Sequence, residues 1–128
     1  MTTAYLDASA LVKLALAEAE SGPVQRYIDE IDEVVTSRVG IVETRRAVAR
    51  AHGTDTAADV PLSSVAAVEF DHAIAATAAV LQPLALRTLD AIHLATALSL
   101  YHVDAVVTYD NRLANAARSL GLPVVSPT

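Results

Sequence analysis

Short apolar runs alternate along this chain with longer segments in which apolar residues recur at helical spacing. The short runs contain mainly alanine and β-branched residues and predict five strands, at residues 4–6, 34–36, 65–70, 105–108 and 124–125. The longer segments predict six helices, at residues 9–20, 24–31, 41–52, 72–81, 89–101 and 111–120. Residues 54–64 fit either a loop or a loose helix.

Polar residues and glycines mark where several of these helices begin and end. Ser9, Asp71 and Thr88 each precede an apolar helical pattern, so we expect them to be N-caps. Gly53 and Gly121 follow such patterns and are expected to close helices. Strands and helices therefore alternate with short connections, which predicts an α/β fold with three layers. We expect a mostly parallel, short-stranded sheet flanked by helices, in a single domain over residues 1–128.

Composition narrows the possible functions. The chain is 53% hydrophobic and has no cysteine, which excludes a disordered protein, a disulfide scaffold and a cysteine-based zinc site. The longest uncharged run, residues 72–86, is shorter than the ~20 apolar residues of a membrane helix. We therefore expect a cytoplasmic protein that does not enter a membrane. Nine basic residues face fifteen acidic ones, and the net charge of -6 disfavours strong binding to a phosphate backbone.

Four acidic residues stand where the predicted fold can bring them together. Asp7 and Asp110 follow predicted strands, while Glu43 and Asp90 lie in the first turns of predicted helices. Because ligand sites in parallel sheets form beyond the carboxyl ends of the strands, we expect these side chains to share one edge. Crowded carboxylates repel one another unless a cation intervenes, and Mg²⁺ or Mn²⁺ prefers such oxygen ligands. These ions can activate water and orient a phosphodiester for hydrolysis.

Each acidic residue also has an ordinary structural explanation. Asp7 and Asp110 can cap the helices that follow them. Glu43 can pair with a neighbouring arginine on the same helix, either Arg46 or Arg50. Asp90, in the first turn of its helix, can simply complement the positive end of the helix dipole.

Four segments of the chain resemble motifs of the PIN-domain nucleases and, within that family, of the VapC toxins of bacterial toxin–antitoxin pairs. They are YLDASALVK at 5–13, VE at 42–43, LDAIHLATA at 89–97 and VTYDNRL at 107–113. Their order and spacing match over almost the whole chain, and residues 54–81 contribute little. The resemblance implies a PIN-like fold and a metal-dependent endoribonuclease that uses one or two Mg²⁺ or Mn²⁺ ions.

The resemblance also assigns roles to individual residues. The catalytic and metal-binding set it implies is Asp7, Glu43, Asp90 and Asp110. Ser9 and Thr108 match positions that support this site through hydrogen bonds. The resemblance further implies an RNA substrate, a homodimer and inhibition by a cognate VapB-like antitoxin.

Basic residues and one histidine complete the candidate site. Arg46, Arg87 and Arg112 are candidates for contacts with substrate phosphates, although a solvated helix face explains Arg46 equally well. His93 follows Asp90 by three residues on one helix, where it can hydrogen-bond the aspartate or approach a metal. We expect a packed, hydrogen-bonded histidine rather than a ligand.

Two other functions are compatible with parts of the pattern. The first is a catalytically silent PIN-like module that binds an antitoxin or RNA. The presence of all four acidic residues, Asp7, Glu43, Asp90 and Asp110, favours an active enzyme over this module. The second is a protein phosphorylated on aspartate. The segment Asp7-Ala8-Ser9 lacks the second aspartate that a phosphatase of this type needs two residues on.

Overall fold

The computed structural model describes the whole chain, residues 1–128. The chain forms five strands, seven α-helices and one 3₁₀ turn, Thr56–Ala58. In chain order these elements are β1 Thr3–Leu6, α1 Ala8–Ala15, α2 Ser21–Asp29, β2 Glu33–Ser37, α3 Arg38–His52, α4 Asp59–Leu62, β3 Ala66–Val68, α5 His72–Val80, α6 Thr88–Ser99, β4 Ala105–Val107, α7 Asn111–Ser119 and β5 Val124–Val125.

The five strands form one parallel sheet in the order β3-β2-β1-β4-β5. The chain first builds outward from β1 to β2 and β3, then crosses to the other side of β1 to form β4 and β5. The direction of strand addition therefore reverses between β1 and β4, and the carboxyl ends of two such strands border a crevice. This arrangement confirms the predicted parallel α/β fold and identifies the residues after β1 and β4 as those that border the crevice.

Helices cover both faces of the sheet, so the molecule has three layers. β1 is buried along its whole length and alternates between two cores. Ala4 and Leu6 pack with residues of α1, α2 and α3, whereas Tyr5 packs with residues of α6 and α7. Burial of these apolar faces is the main driving force for folding.

Several helix ends differ from the predictions. Asp7, rather than Ser9, caps α1, because its carboxylate accepts the backbone N–H of Ala10. That helix ends at Ala15, where the chain becomes extended, and not near residue 20. The predicted cap Thr88 is instead the first residue of α6, whose N-cap Arg87 makes no side-chain capping bond.

Other boundaries agree with the sequence or extend it. Asp71 caps α5 as predicted, and Gly53 ends α3 with a φ of 80°, in the left-handed region that glycine favours. α3 begins at Arg38, three residues before the predicted start, because the Ser37 hydroxyl accepts the N–H of Val39. None of the helices has the length and apolar character that crossing a membrane requires.

Candidate active site

Asp7 lies at the carboxyl end of β1, beside the crevice, with a side chain that is almost fully buried. Its Oδ2 accepts a hydrogen bond from the Thr108 hydroxyl at 2.6 Å. Its Oδ1 accepts bonds from the Ser9 hydroxyl at 2.7 Å and from the Ala10 N–H at 3.1 Å. Burial raises the pKa of Asp7, and the hydrogen bonds from Thr108 and Ser9 oppose that rise because they favour the ionised form.

The two hydroxyls also tie Asp7 to the turn that follows β4. Thr108 Oγ1 accepts the backbone N–H of Asp110 at 3.1 Å, and Ser9 Oγ accepts that of Tyr109 at 2.8 Å. Since each hydroxyl donates its own proton to Asp7, the carboxylate orients both of them. The residues predicted to support the site therefore contact Asp7 directly and hold β1 and β4 together at their ends.

Asp110 caps α7, which is one of the two roles that the sequence predicted for it. Its Oδ1 accepts the N–H groups of Arg112 at 2.8 Å and Leu113 at 3.3 Å. The cap uses this one oxygen, and the half-buried residue stays at the edge of the crevice.

Asp90 lies in the first turn of α6 and faces the other two aspartates. Burial raises its pKa, and the charge of Asp110 raises it further, with a smaller contribution from Asp7. His93 and Arg87 act in the opposite direction. The charges of both strand-end aspartates thus act on Asp90, which fits the expected convergence at one edge.

Glu43 has a different partner from the arginines suggested by the sequence. Its Oε1 accepts a hydrogen bond from Nε2 of His93 at 2.6 Å, and Nδ1 of the same ring lies 2.7 Å from the Tyr5 hydroxyl. His93 is therefore packed and hydrogen-bonded as predicted, but to Glu43 and Tyr5. Tyr5 carried no sequence signal beyond its place in a buried strand, so its part in this chain of contacts was missed.

The donor chemistry at this edge fits a hard divalent cation. Asp7, which is buried, Asp90 and Asp110 offer the carboxylate oxygens that Mg²⁺ and Mn²⁺ prefer, and the charges of Asp110 and Asp7 raise the pKa of Asp90. The side chains do not form a closed ligand cage, since no three Asp, Glu or His groups are arranged to hold an ion. Three of the four side chains are hydrogen-bonded within the protein: Asp7 to hydroxyls, Asp110 to α7 and Glu43 to His93.

Two cavities flank the acidic residues, and arginines line both. The larger, of about 560 Å³, includes Ser9, Glu43, Arg46, Arg50 and Tyr109. The smaller, of about 350 Å³, includes Arg87, Asp90, Arg112, Asn115 and Ser119. Of the three arginines proposed as phosphate contacts, Arg87 and Arg112 line the cavity that contains Asp90, and Arg46 lines the one that contains Glu43.

The arginines of the larger cavity are free of ion pairs. Arg38 is paired with Glu69, and Arg45 is paired with Asp55 and Asp59. Arg46 and Arg50 form no such pairs and are exposed. The cavity thus joins a carboxylate, Glu43, to two guanidinium groups that are available to an anion.

Sequence comparison identifies the family. Residues 4–119 match the PIN domain. The chain is 45% identical over 130 residues to "Ribonuclease VapC35" of Mycobacterium tuberculosis, covering 96% of each protein.

Structural comparison agrees on the fold. The crystal structure of Mycobacterium tuberculosis VapC20, a Sarcin-Ricin loop cleaving toxin, matches with a TM-score of 0.75 at 18% identity, over 97% of this chain and 99% of that one. A toxin–antitoxin complex from Klebsiella pneumoniae matches with a TM-score of 0.73 at 22% identity, over 98% of both chains. The chain therefore belongs to the PIN-domain family and, within it, to the VapC toxins.

Proposed function

We propose that this protein is a metal-dependent endoribonuclease toxin, which hydrolyses RNA phosphodiesters and is inhibited by a cognate antitoxin. The observation that carries the proposal is that Asp7 and Asp110 follow the adjacent parallel strands β1 and β4, and that the charges of both act on Asp90. The relative called "Ribonuclease VapC35" supports the activity, since its similarity extends over nearly the whole chain.

The residues that would hold one or two Mg²⁺ or Mn²⁺ ions are Asp7, Glu43, Asp90 and Asp110. When bound, such an ion lowers the pKa of a water molecule and stabilises the leaving oxygen of the phosphodiester. The protein contributes fixed carboxylates. Thr108 and Ser9 favour the ionised form of Asp7 and prevent its side chain from rotating.

Arginines on both sides of the aspartates would hold the RNA backbone. Arg46 lines one cavity, and Arg87 and Arg112 line the other, so an RNA strand that spans both cavities would have guanidinium groups for its phosphates in each. These few cations act against the negative charge of the whole chain. We therefore expect weak RNA affinity that falls steeply with salt.

A cognate antitoxin would compete for the same edge. An acidic crevice suits the guanidinium group of an inserted arginine, which can bind a carboxylate through two parallel hydrogen bonds. The structural match to a toxin–antitoxin complex supports a partner of this kind. Exposed apolar side chains near α5, among them Phe70 and Val80, support a homodimer. An RNA substrate implies a cytoplasmic location.

The test is RNA cleavage by the purified protein without its antitoxin. We expect end-labelled RNA to be cut in the presence of Mg²⁺ or Mn²⁺ and to stay intact with EDTA. An Asp7→Asn preparation, purified identically, controls for contaminating nucleases and should be inactive. If the wild type binds RNA but cuts none with either ion, the protein is the silent binding module instead.

A further inference from the structure

A buried chain of three side chains connects the centre of the sheet with Glu43. Tyr5 in β1 is fully buried, and His93 in α6 is 2% exposed. The Tyr5 hydroxyl lies 2.7 Å from Nδ1 of His93, and Nε2 of that ring lies 2.6 Å from Oε1 of Glu43. The two rings meet edge to face, with their centroids 5.8 Å apart. Two hydrogen bonds thus link β1, α6 and α3 in a chain that ends at one carboxylate.

The proton positions in this chain follow from the chemistry of its ends. An ionised carboxylate can only accept, so Nε2 of His93 must carry the proton that it donates to Glu43. The Tyr5 hydroxyl can donate to Nδ1 only in the tautomer that carries its proton on Nε2, and this is the tautomer that donates to Glu43. The buried phenol stays protonated, because burial raises its pKa. Tyr5 therefore selects the tautomer of His93 that can hold Glu43.

The backbone is shaped to permit this contact. Gly40 lies one turn before Glu43 in α3, and a Cβ atom there would meet the Thr36 hydroxyl and come within 3.1 Å of Cε1 of His93. A larger residue would push α3 away from the histidine. The close approach of α3 to α6 thus depends on the missing side chain of Gly40.

The histidine also decides which partner Glu43 takes. Arg46 lies three residues after Glu43 on the same helix and lines the same cavity, and glutamate and arginine at this spacing readily form an ion pair. Bonded to His93, Glu43 leaves Arg46 free of ion pairs. The contact keeps the carboxylate beside Ser9 and the guanidinium available to substrate.

We propose that Tyr5 and His93 are positioning residues, which hold the Glu43 carboxylate at the edge of the larger cavity and away from Arg46. The inference rests on the proposed function only in assigning Glu43 to the metal site. Hydrogen-bond partners of metal ligands typically contribute about 10- to 100-fold to metal affinity. The same range is expected here for loss of the Tyr5 hydroxyl.

Tyr5→Phe removes one buried hydroxyl, and Tyr27→Phe is the matched control, because Tyr27 is half-buried outside this chain of contacts. Two-dimensional ¹H–¹⁵N spectra of the imidazoles should show His93 as a single tautomer protonated at Nε2. That preference should be lost in Tyr5→Phe and kept in Tyr27→Phe. An unchanged His93 signal in Tyr5→Phe would overturn the proposal, and this measurement needs neither metal nor RNA.

Calorimetric titration of the metal-free protein with Mn²⁺ gives the second measurement. We expect affinity to fall about 10- to 100-fold in Tyr5→Phe. In a Glu43→Gln background the same change should have no further effect, because the hydroxyl acts through Glu43. Equal losses in both backgrounds would show a merely structural role and overturn the proposal. Failure of the wild type to bind Mn²⁺ would instead refute the proposed function, while the imidazole spectra still decide the positioning.

Should Tyr5→Phe not fold, His93→Gln and His93→Ala serve in its place. Glutamine retains an N–H donor for Glu43, so it should restore part of the Mn²⁺ affinity that alanine loses. The exposed His102 supplies the control substitution, His102→Ala. Wild-type affinity in both His93 variants would contradict the inference.

Discussion

Replacing Thr108 by valine tests how the buried Asp7 carboxylate is held. The change preserves the shape of a fully buried side chain and removes one hydroxyl. That hydroxyl donates to Oδ2 of Asp7 at 2.6 Å and accepts the N–H of Asp110 at 3.1 Å. Valine can replace neither bond, so Asp7 loses one of its three hydrogen-bond donors.

The expected cost follows from these two bonds. A hydrogen bond to a charged group contributes about 1.5–3 kcal/mol, and an ordinary one about 1 kcal/mol. We therefore expect Thr108→Val to lower the free energy of unfolding by about 3 kcal/mol at neutral pH. For a chain of this size that corresponds to a fall of about 10 °C in Tm.

The loss should depend on pH. The Thr108 bond favours the ionised form of Asp7, so its removal raises the pKa of that carboxyl further. Destabilisation is then largest where Asp7 is ionised in the wild type and shrinks as pH falls through its pKa. Thermal unfolding followed by circular dichroism at neutral and acidic pH measures both effects.

Thr108→Ser is the matched control, because it keeps the hydroxyl and removes one methyl group, at a cost of about 1 kcal/mol. Equal Tm values for the valine and serine variants at neutral pH would refute the account of Asp7. So would a valine variant as stable as the wild type.

Three further predictions concern other parts of the site. Asp7→Asn should abolish RNA cleavage yet raise Tm at neutral pH, because burial raises the pKa of Asp7 and asparagine caps α1 without a buried charge. The gain in Tm should vanish in acid, and a lower Tm at neutral pH would contradict this prediction. Gly40→Ala should lower Tm and disturb the imidazole signal of His93, since the added Cβ meets that ring; an unchanged spectrum would be the opposing result. Arg46→Ala should reduce the slope of log RNA affinity against log salt by about 0.7, whereas Arg38→Ala, at a residue already paired, should leave it unchanged.

The sequence predicted those parts of the fold that depend on local pattern. Alternating apolar segments identified the strands and longer helices, and short connections implied a parallel sheet. Once β1 and β4 are parallel neighbours, the residues that follow them must lie at the same edge. For this reason Asp7 and Asp110 could be assigned to one edge before the structure was known.

Which of several possible partners a side chain binds could not be predicted in the same way. Asp7 and Ser9 are both good caps, yet Asp7 caps α1 and Ser9 donates to its carboxylate. The same carboxylate is bonded to Thr108, about a hundred residues away in sequence. Glu43 had arginines nearby on its own helix, yet its partner is His93 of another helix. Helical periodicity describes one helix at a time, so it could not predict that α3 approaches α6 closely.

The most direct test of the central claim is to compare the rates at which Asp90→Asn and Asp104→Asn cleave RNA in the presence of Mg²⁺. Asp104 is the matched control, because it is bonded to Thr3 and His102 at the opposite, amino-terminal end of β4. If the aspartates at the crevice carry out hydrolysis, Asp90→Asn remains folded and is inactive, while Asp104→Asn cleaves at the wild-type rate. Cleavage by folded Asp90→Asn at the wild-type rate would contradict the account.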